Sequence, residues 1–196
     1  SLTKYAANAG DVMMGLLAVH PESPFAAELA EGIAARLEPP DRDDRLRLAA
    51  QIGQMGAVAK EANARAEAIG DWLAGHLAVR RVHRPDPQRL APLQRPGMGR
   101  GAILSFELAG PLEAFYDRVP VVKGPSFGTQ FTMLCPFLYL AHYSLVTTPE
   151  GRAHLRRCGL DPELIRLSLG QEPEDDIRAA LAEGLDAVAS GVTAGA

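Results

Sequence analysis

Ser1-Leu2-Thr3-Lys4-Tyr5 opens the chain, and the interpretation of the whole sequence depends on this pentapeptide. The Lys4 amine can form a Schiff base with an aldehyde cofactor, and the hydroxyls of Ser1 and Thr3 could hydrogen-bond a phosphate on the same cofactor. Alone, the pattern is weak, because a polar pentapeptide at a chain end is usually frayed. Two blocks further along the chain are needed to choose between these interpretations.

The first downstream block is Lys123–Gly128, with the sequence KGPSFG, and the second is Leu164–Glu172, with the sequence LIRLSLGQE. In the second block Arg166 interrupts an apolar strand, which costs free energy unless the guanidinium meets a carboxylate. That carboxylate could belong to an amino-acid substrate, bound through two parallel hydrogen bonds, or to a neighbouring acidic side chain in a structural salt bridge. In the first block Ser126 could present its backbone to the same substrate carboxylate, or could be an inert turn residue.

In this order, the three blocks resemble the Cys/Met-metabolism (trans-sulfuration) family of pyridoxal-phosphate enzymes. That family includes cystathionine γ-synthase, the cystathionine lyases, methionine γ-lyase and the O-acyl-homoserine sulfhydrylases. The blocks are similar to its cofactor-lysine segment, its ESLGG substrate loop and its LIRLSVGLED segment. The resemblance implies pyridoxal 5′-phosphate as the cofactor, with Lys4 as the internal-aldimine lysine and later the base. It also implies that Ser1 and Thr3 bind the cofactor phosphate, and that Ser126 and Arg166 bind the substrate α-carboxylate.

The resemblance further implies an α/β fold, namely the C-terminal half of a fold-type I pyridoxal-phosphate-dependent transferase. Residues 1–40 would end the cofactor-binding large domain, 41–76 would be a long connecting helix, and 77–196 would be a small domain with an antiparallel sheet. In the family the cofactor lysine lies near the middle of the subunit. The N-terminal half of the same enzyme is therefore an expected partner, and the chain could be a fragment or a stand-alone relic.

Hydrophobic periodicity agrees with an α/β chain. The continuous apolar run Val12–Val19 predicts a buried strand, and the i,i+4 spacing of apolar residues within Pro21–Leu37 predicts an amphipathic helix. Asp41–His76 predicts one long helix, or two joined near Gly53–Gly56, whereas the proline-rich stretch Pro85–Gly101 predicts an irregular surface loop. Further strands are predicted at Ala78–His83, Ala102–Leu108, Pro120–Lys123, Gly128–Met133 and Glu163–Leu169. Further helices are predicted at Pro111–Arg118, Thr148–Cys158 and Pro173–Ala189.

The composition argues against several classes of partner. The 196 residues carry a formal net charge of −4, so no basic field is available for nucleic acid. No segment approaches the roughly 20 uninterrupted apolar residues of a membrane span, and no signal peptide is evident, so we expect a cytoplasmic protein. Cys135 and Cys158 are accordingly expected to be free thiols, and the five histidines lack metal-ligand spacing, so no metal site is expected. The apolar run Phe131–Leu140 is long for a surface and predicts a homo-oligomer, a dimer or tetramer.

The chain departs from the family pattern at several positions. Where the family has an RGLxTLxxR stretch, this chain has Arg47–Gln54, and Thr129 replaces the last glycine of ESLGG. Two functions therefore stay open. The first is a C–S lyase or γ-replacement enzyme acting on a small amino acid of the cystathionine, methionine or O-acyl-homoserine type. The second is a catalytically degenerate or structural, oligomerisation domain derived from that family.

Overall fold

The computed structural model describes residues 1–93 and 99–194, and its centre is a five-stranded mixed sheet with helices packed against it. The strands are β1 Val79–His83, β2 Ile103–Leu108, β3 Val122–Lys123, β4 Met133–Cys135 and β5 Ile165–Ser168. The α-helices are α1 Ala26–Ala34, α2 Arg42–Gln51, α3 Met55–Ala74, α4 Pro87–Leu90, α5 Leu112–Tyr116, α6 Phe137–Ala141, α7 Tyr143–Val146, α8 Pro149–Arg157 and α9 Glu174–Ala194. Single 3₁₀ turns lie at Ile52–Gln54 and Ala91–Leu93. The predicted α/β class is confirmed.

The sheet has the order β1-β2-β5-β4-β3 and is antiparallel except between β3 and β4, which run parallel. The last predicted strand is confirmed as β5, which lies in the middle of the sheet. Arg166 on β5 is opposite Ser105 of β2 on one side and Cys135 of β4 on the other. Because hydrogen-bonded neighbours flank β5 on both sides, the backbone that carries Arg166 has little freedom to move.

The main hydrophobic core lies between this sheet and the helices α3, α5 and α9. At its centre the fully buried rings of Phe106 and Phe115 meet edge to face, with centroids 5.7 Å apart. Such aromatic pairs add to the free energy gained by burial. The other large side chains that are completely buried in this core are Ile69, Leu73, Leu104, Leu134, Ile165, Leu167, Leu169, Leu181 and Leu185. The core therefore fixes β5 from the helix side of the sheet.

The stretch 41–76 forms two helices, as the sequence allowed. Helix α2 begins after Asp41, whose carboxylate accepts hydrogen bonds from the backbone N–H groups of Asp43 and Asp44. These bonds hold the pKa of the Asp41 carboxyl below its ordinary value. The 3₁₀ turn at Ile52–Gln54 separates α2 from α3, at the glycine-containing junction predicted from the sequence.

The predicted strand at Val12–Val19 is wrong. The segment carries no strand assignment and its apolar side chains are largely open, with Met13 at 84%, Leu16 at 70% and Leu17 at 68% exposure. A strand forms only when its backbone pairs with another strand, and no described residue supplies one here. Helix α1 is likewise shorter than the predicted Pro21–Leu37 and buries none of its residues.

Two further predictions need correction. Part of Pro85–Gly101 is helical, because Asp86 caps α4 by accepting from the Gln88 N–H at 2.9 Å and Pro87 occupies the first turn. Residues 94–98 of that predicted loop lie outside the described residues. The strand predicted at Gly128–Met133 begins only at Met133, and its predicted first residue, Gly128, adopts a left-handed φ of 69°, outside the β region.

The remaining predicted elements are found close to their expected positions. Thr148 caps α8 by accepting from the Gly151 N–H at 3.2 Å, and Pro149 is its first residue, as the sequence indicated. Cys135, which is buried, and Cys158, which is exposed, are free thiols as predicted. No helix among the described residues is long and apolar enough to cross a membrane.

Candidate active site

The turn that carries Lys4 is fastened by the hydroxyl of Thr3. This hydroxyl accepts a hydrogen bond from the Met14 N–H at 3.0 Å and donates to the Met14 carbonyl at 3.3 Å. The Leu2 N–H donates to the same carbonyl at 2.9 Å. The predicted phosphate ligand Thr3 therefore holds the start of the chain to the extended segment after Gly10, while Ser1 is exposed at the end of the turn.

A glycine brings the second block onto this turn. Gly128 is buried with a φ of 69°, and a Cβ placed on it would lie 2.9 Å from the Tyr5 nitrogen and 3.1 Å from the Lys4 Cβ. Both the backbone angle and the space therefore favour glycine at this position. The Ser126-Phe127-Gly128 loop can approach the lysine turn only because of this residue.

The approach places the Lys4 amine against two neighbours. Its Nζ donates to Ser126 Oγ at 2.9 Å, and it lies 5.1 Å from the centroid of the Phe127 ring. The side chain of Lys4 is half-buried. Within residues 1–93 and 99–194, no carboxylate lies within ion-pair distance of this amine.

Arg166 reaches the same loop from β5. Its Nη2 donates to the carbonyl of Ser126 at 3.1 Å and to the carbonyl of Pro125. Its Cζ lies 4.9 Å from the centroid of the Phe137 ring and 5.8 Å from that of Phe127. In the part of the chain that the structure describes, Arg166 forms no salt bridge, so the structural ion pair considered for it is not observed.

The structure thus brings three of the predicted site residues together. Ser126 is the bridge, because its hydroxyl accepts from Lys4 and its carbonyl accepts from Arg166. Ser1 and Thr3 make no hydrogen bond to this group among the described residues. The loop that contains Pro125 and Ser126 accepts hydrogen bonds from both Lys4 and Arg166, but it offers neither cation a carboxylate. Such a site suits a small ligand that carries a carboxylate.

Sequence reasoning missed two residues beside Lys4. Tyr5 is hydrogen-bonded to the side chain of Ser168, and burial raises the pKa of the Tyr5 phenol while that hydrogen bond acts in the opposite direction. The hydroxyl of Ser168 also accepts from the Gly128 N–H at 3.3 Å. Strand alternation predicts that Ser168 shares a face of β5 with Arg166, but it does not indicate the contacts of Ser168 with Tyr5 and Gly128.

An amide cluster around the buried Asn8, also missed, fixes the far end of the lysine turn. The Oδ1 of Asn8 accepts from Gln171 Nε2 at 2.9 Å and from Gln130 Nε2 at 3.2 Å. The Gln171 N–H donates to the Gln130 carbonyl at 2.7 Å. The cluster ties the turn to the segments that precede β4 and follow β5, although Asn8 is more than 120 residues from either glutamine in sequence. No local pattern could have indicated it.

The residues present fit the lysine side of a pyridoxal phosphate site. Attachment of an aldehyde needs an amine that no carboxylate already binds, and the Lys4 amine meets this condition among the described residues. The Arg166 guanidinium nearby has no hydrogen bond to its Nε or Nη1 from the described residues, which leaves donors for a second group. The donor set therefore suits an aldehyde cofactor together with a carboxylate ligand.

Comparison with known sequences gives the family. A family model described as Cys/Met metabolism PLP-dependent enzyme matches residues 1–186. The L-2-amino-4-chloropent-4-enoate dechlorinase/desaturase of Streptantibioticus cattleyicolor is 40% identical over 190 residues, which cover 95% of this chain and 38% of that protein. The cystathionine gamma-synthase of Neurospora crassa is 31% identical over 184 residues, covering 90% of this chain and 29% of that protein.

Comparison with solved structures agrees. The cystathionine gamma synthase of Xanthomonas oryzae pv. oryzae, solved in complex with aminoacrylate and cysteine, superimposes with a TM-score of 0.75 at 26% identity. The match covers 97% of this chain and 49% of that one. The chain therefore spans about half of that structure and less than two fifths of the two curated relatives. The family-model match over residues 1–186 and the relative at 40% identity agree with the lysine turn and the arginine on the central strand. The chain therefore belongs to the family of Cys/Met metabolism PLP-dependent enzymes.

Proposed function

We propose that the enzyme containing this chain eliminates or replaces a group at the β or γ carbon of a small amino acid, using pyridoxal phosphate. The observation that supports this most directly is that Lys4 and Arg166 both donate to Ser126. Lys4 Nζ lies 2.9 Å from the Ser126 hydroxyl and Arg166 Nη2 lies 3.1 Å from the Ser126 carbonyl, and neither cation has a carboxylate partner among the described residues. One cation is suited to the amine chemistry of the cofactor, and the other to the carboxylate that every α-amino acid carries.

Arg166 is the carboxylate anchor in this proposal. Its Nη2 is held by two backbone carbonyls, which fix the plane of the guanidinium, and its remaining donors point to no described acceptor. A substrate carboxylate would replace water at those donors with charge-assisted hydrogen bonds. Lysine at this position would substitute poorly, because an ammonium is a point charge without the planar fork.

Lys4 is the proton carrier. When bound, pyridoxal phosphate supplies an aldehyde that joins to amines and a ring that withdraws electrons from the substrate α carbon. In this proposal the Lys4 amine takes a proton from that carbon and returns it at the β or γ carbon. The hydrogen bond that Lys4 Nζ donates to Ser126 Oγ supports this role by holding the amine between the two transfers. Ser1 and Thr3 remain candidates for contacts to the cofactor phosphate, Thr3 only if its hydroxyl turns away from Met14.

The names of the relatives define the leaving groups to test. Two are a cystathionine gamma-synthase and an L-methionine gamma-lyase, whose names point to sulfur-containing amino acids. A third is an O-succinylhomoserine sulfhydrylase, and the relative at 40% identity is named for dechlorinating an amino acid with chlorine on its γ carbon. We propose a substrate of this set, with sulfur, an acyloxy group or chlorine on the carbon that reacts.

We propose that the N-terminal half of the subunit packs against the exposed apolar side chains among the first 40 residues. Met13, Leu16 and Leu17 are exposed beside a groove of about 430 Å³ whose opposite wall includes Leu37 and Pro39. Clustered exposed apolar side chains mark an interaction surface. The matched structure is about twice as long as this chain, which supports a second half of the subunit. The proposed division of this chain stays as predicted, with residues 1–40 in the large domain, 41–76 as the long connecting helical segment and 77–196 as the small domain.

A homo-oligomer, a dimer or tetramer, remains the proposed assembly of the enzyme. Phe131, Phe137 and Leu140 of the predicted apolar run are exposed at 40%, 37% and 60%. Light scattering of the assembled enzyme measures its mass directly. A mass equal to one subunit at high protein concentration would contradict the oligomer.

The proposed roles can be tested by titrating amino acids into the cofactor-loaded enzyme while its absorption spectrum is followed. We expect Arg166→Ala to weaken substrate binding roughly 30- to 1000-fold, about 2–4 kcal/mol for a lost charge-assisted contact. Arg89→Ala is the matched control, since the Arg89 side chain is 89% exposed. Equal affinity in wild type and Arg166→Ala would refute the anchor role.

The same preparation separates the two function classes. A borohydride-reducible cofactor adduct that disappears in Lys4→Ala, together with turnover of one substrate from the panel, supports the enzyme. A loaded protein that turns over none of the sulfur, acyloxy or chloro substrates would instead support the degenerate, structural domain.

A further inference from the structure

The guanidinium of Arg166 lies within about 6 Å of the centroids of two aromatic rings. The Phe137 ring centroid is 4.9 Å from its Cζ and the Phe127 centroid is 5.8 Å away, both inside the range in which a cation is attracted to a ring face. Among the described residues, the hydrogen bonds of this side chain go to the carbonyls of Pro125 and Ser126. The rings therefore contribute to its orientation in place of a carboxylate.

Both rings are placed by features of the chain around them. Phe127 precedes Gly128, whose left-handed backbone and close approach to the lysine turn set the position of the loop. Phe137 begins α6, two residues after Cys135, which is the residue of β4 directly opposite Arg166. One ring thus comes with the substrate loop and the other with the neighbouring strand, so the arginine is held from two elements of the fold.

Phe127 differs from Phe137 in touching the second cation as well. Its centroid is 5.1 Å from Lys4 Nζ, and it also lies 6.3 Å from the ring of Tyr5. The ESLGG pattern that this loop resembles carries leucine at the position of Phe127. A leucine has no π-face, so the contact to two cations requires the aromatic residue present in this chain.

We propose that Phe127 and Phe137 are positioning residues that clamp the Arg166 guanidinium for a substrate carboxylate, with Phe127 also orienting the Lys4 amine. The proposal rests on the carboxylate role of Arg166 given above. Stacking restricts the long arginine side chain before the ligand arrives, so less conformational entropy is lost on binding. Removing one ring should therefore weaken the carboxylate contact without removing the charge.

The expected effects distinguish the two rings. Phe137→Leu in the assembled holoenzyme should raise the dissociation constant for L-alanine about 2- to 5-fold, which corresponds to an exposed cation–π contact. It should leave L-alaninamide, which has no carboxylate, unchanged. Phe127→Leu should weaken both ligands, because it also loses the Lys4 contact. Phe137→Tyr keeps a ring on a side chain that is 37% exposed, and should behave as wild type.

A direct measurement of stacking does not depend on turnover. In ¹⁵N-labelled protein the Nε–H resonance of Arg166, identified by its loss in Arg166→Lys, should be displaced by ring currents and should shift in each Leu variant. An unmoved resonance, or L-alanine affinities equal to wild type in both Leu variants, would overturn the clamp. If Arg166→Ala binds L-alanine with wild-type affinity, the proposed carboxylate role of Arg166 is refuted. If Arg166→Ala loses affinity for L-alanine but neither Phe→Leu variant does, only the clamp is refuted.

Discussion

Gly128→Ala tests whether the close approach of the substrate loop is what positions Lys4. The alanine would have to adopt a φ of 69°, a left-handed conformation that costs an L residue about 1–2 kcal/mol. Its Cβ would also lie 2.9 Å from the Tyr5 nitrogen and 3.1 Å from the Lys4 Cβ. Relieving such overpacking in a packed interior costs a further ~1–3 kcal/mol, because backbone must move.

Gly159→Ala is a matched control for the backbone term. Gly159 has a φ of 74°, close to that of Gly128, but nothing lies within 4 Å of a Cβ built on it. We expect Gly159→Ala to lower the free energy of unfolding by about 1–2 kcal/mol, and Gly128→Ala by about 2–5 kcal/mol. The difference between the two variants isolates the contact with the lysine turn.

The assay combines urea unfolding of the assembled enzyme with its cofactor absorption spectrum. Gly159→Ala should retain the wild-type spectrum, whereas Gly128→Ala should lose or shift it, since the steric relief displaces the Lys4 backbone. Equal losses of stability in the two variants, with the cofactor spectrum unchanged in both, would refute the reasoning.

The remaining predictions concern a thiol, a phenol and a helix cap. Burial raises the pKa of the Cys135 thiol, so at pH 8 a thiol reagent should modify Cys158 quickly and Cys135 only after unfolding; equal rates would contradict this. The raised pKa of Tyr5 means that its phenol keeps its proton to higher pH than an unfolded tyrosine, so its stabilising contribution is complete below about pH 10 and is lost above it. The difference in alkaline unfolding between wild type and Tyr5→Phe measures this. Thr148→Ala should cost about 0.5–2 kcal/mol in urea unfolding by removing the cap of α8, and an unchanged midpoint would show that the cap is dispensable.

Local signals in the sequence were sufficient for much of the fold. Thr148 followed by Pro149 predicted the start of α8, and the glycines near position 53 predicted the junction of α2 and α3, because caps and helix breaks act over a few residues. The apolar alternation around Arg166 predicted β5 for the same reason. The failure at Val12–Val19 shows the limit, since apolar character reports a tendency to be buried but does not supply the strand that would cover it.

The residue types of the candidate site were also evident in the sequence, whereas its geometry was not. Lys4 and Arg166 could be selected by chemistry, but their meeting on Ser126 joins positions that are 122 and 40 residues apart. Such contacts depend on the path of loops and on one left-handed glycine, Gly128, which no periodicity reports. The sequence by itself thus determined which groups could react. Only tertiary packing decided that Lys4 and Arg166 would both lie near the Phe127 ring, with no carboxylate partner in the described chain. That arrangement depends on how the sheet and the lysine turn pack against each other.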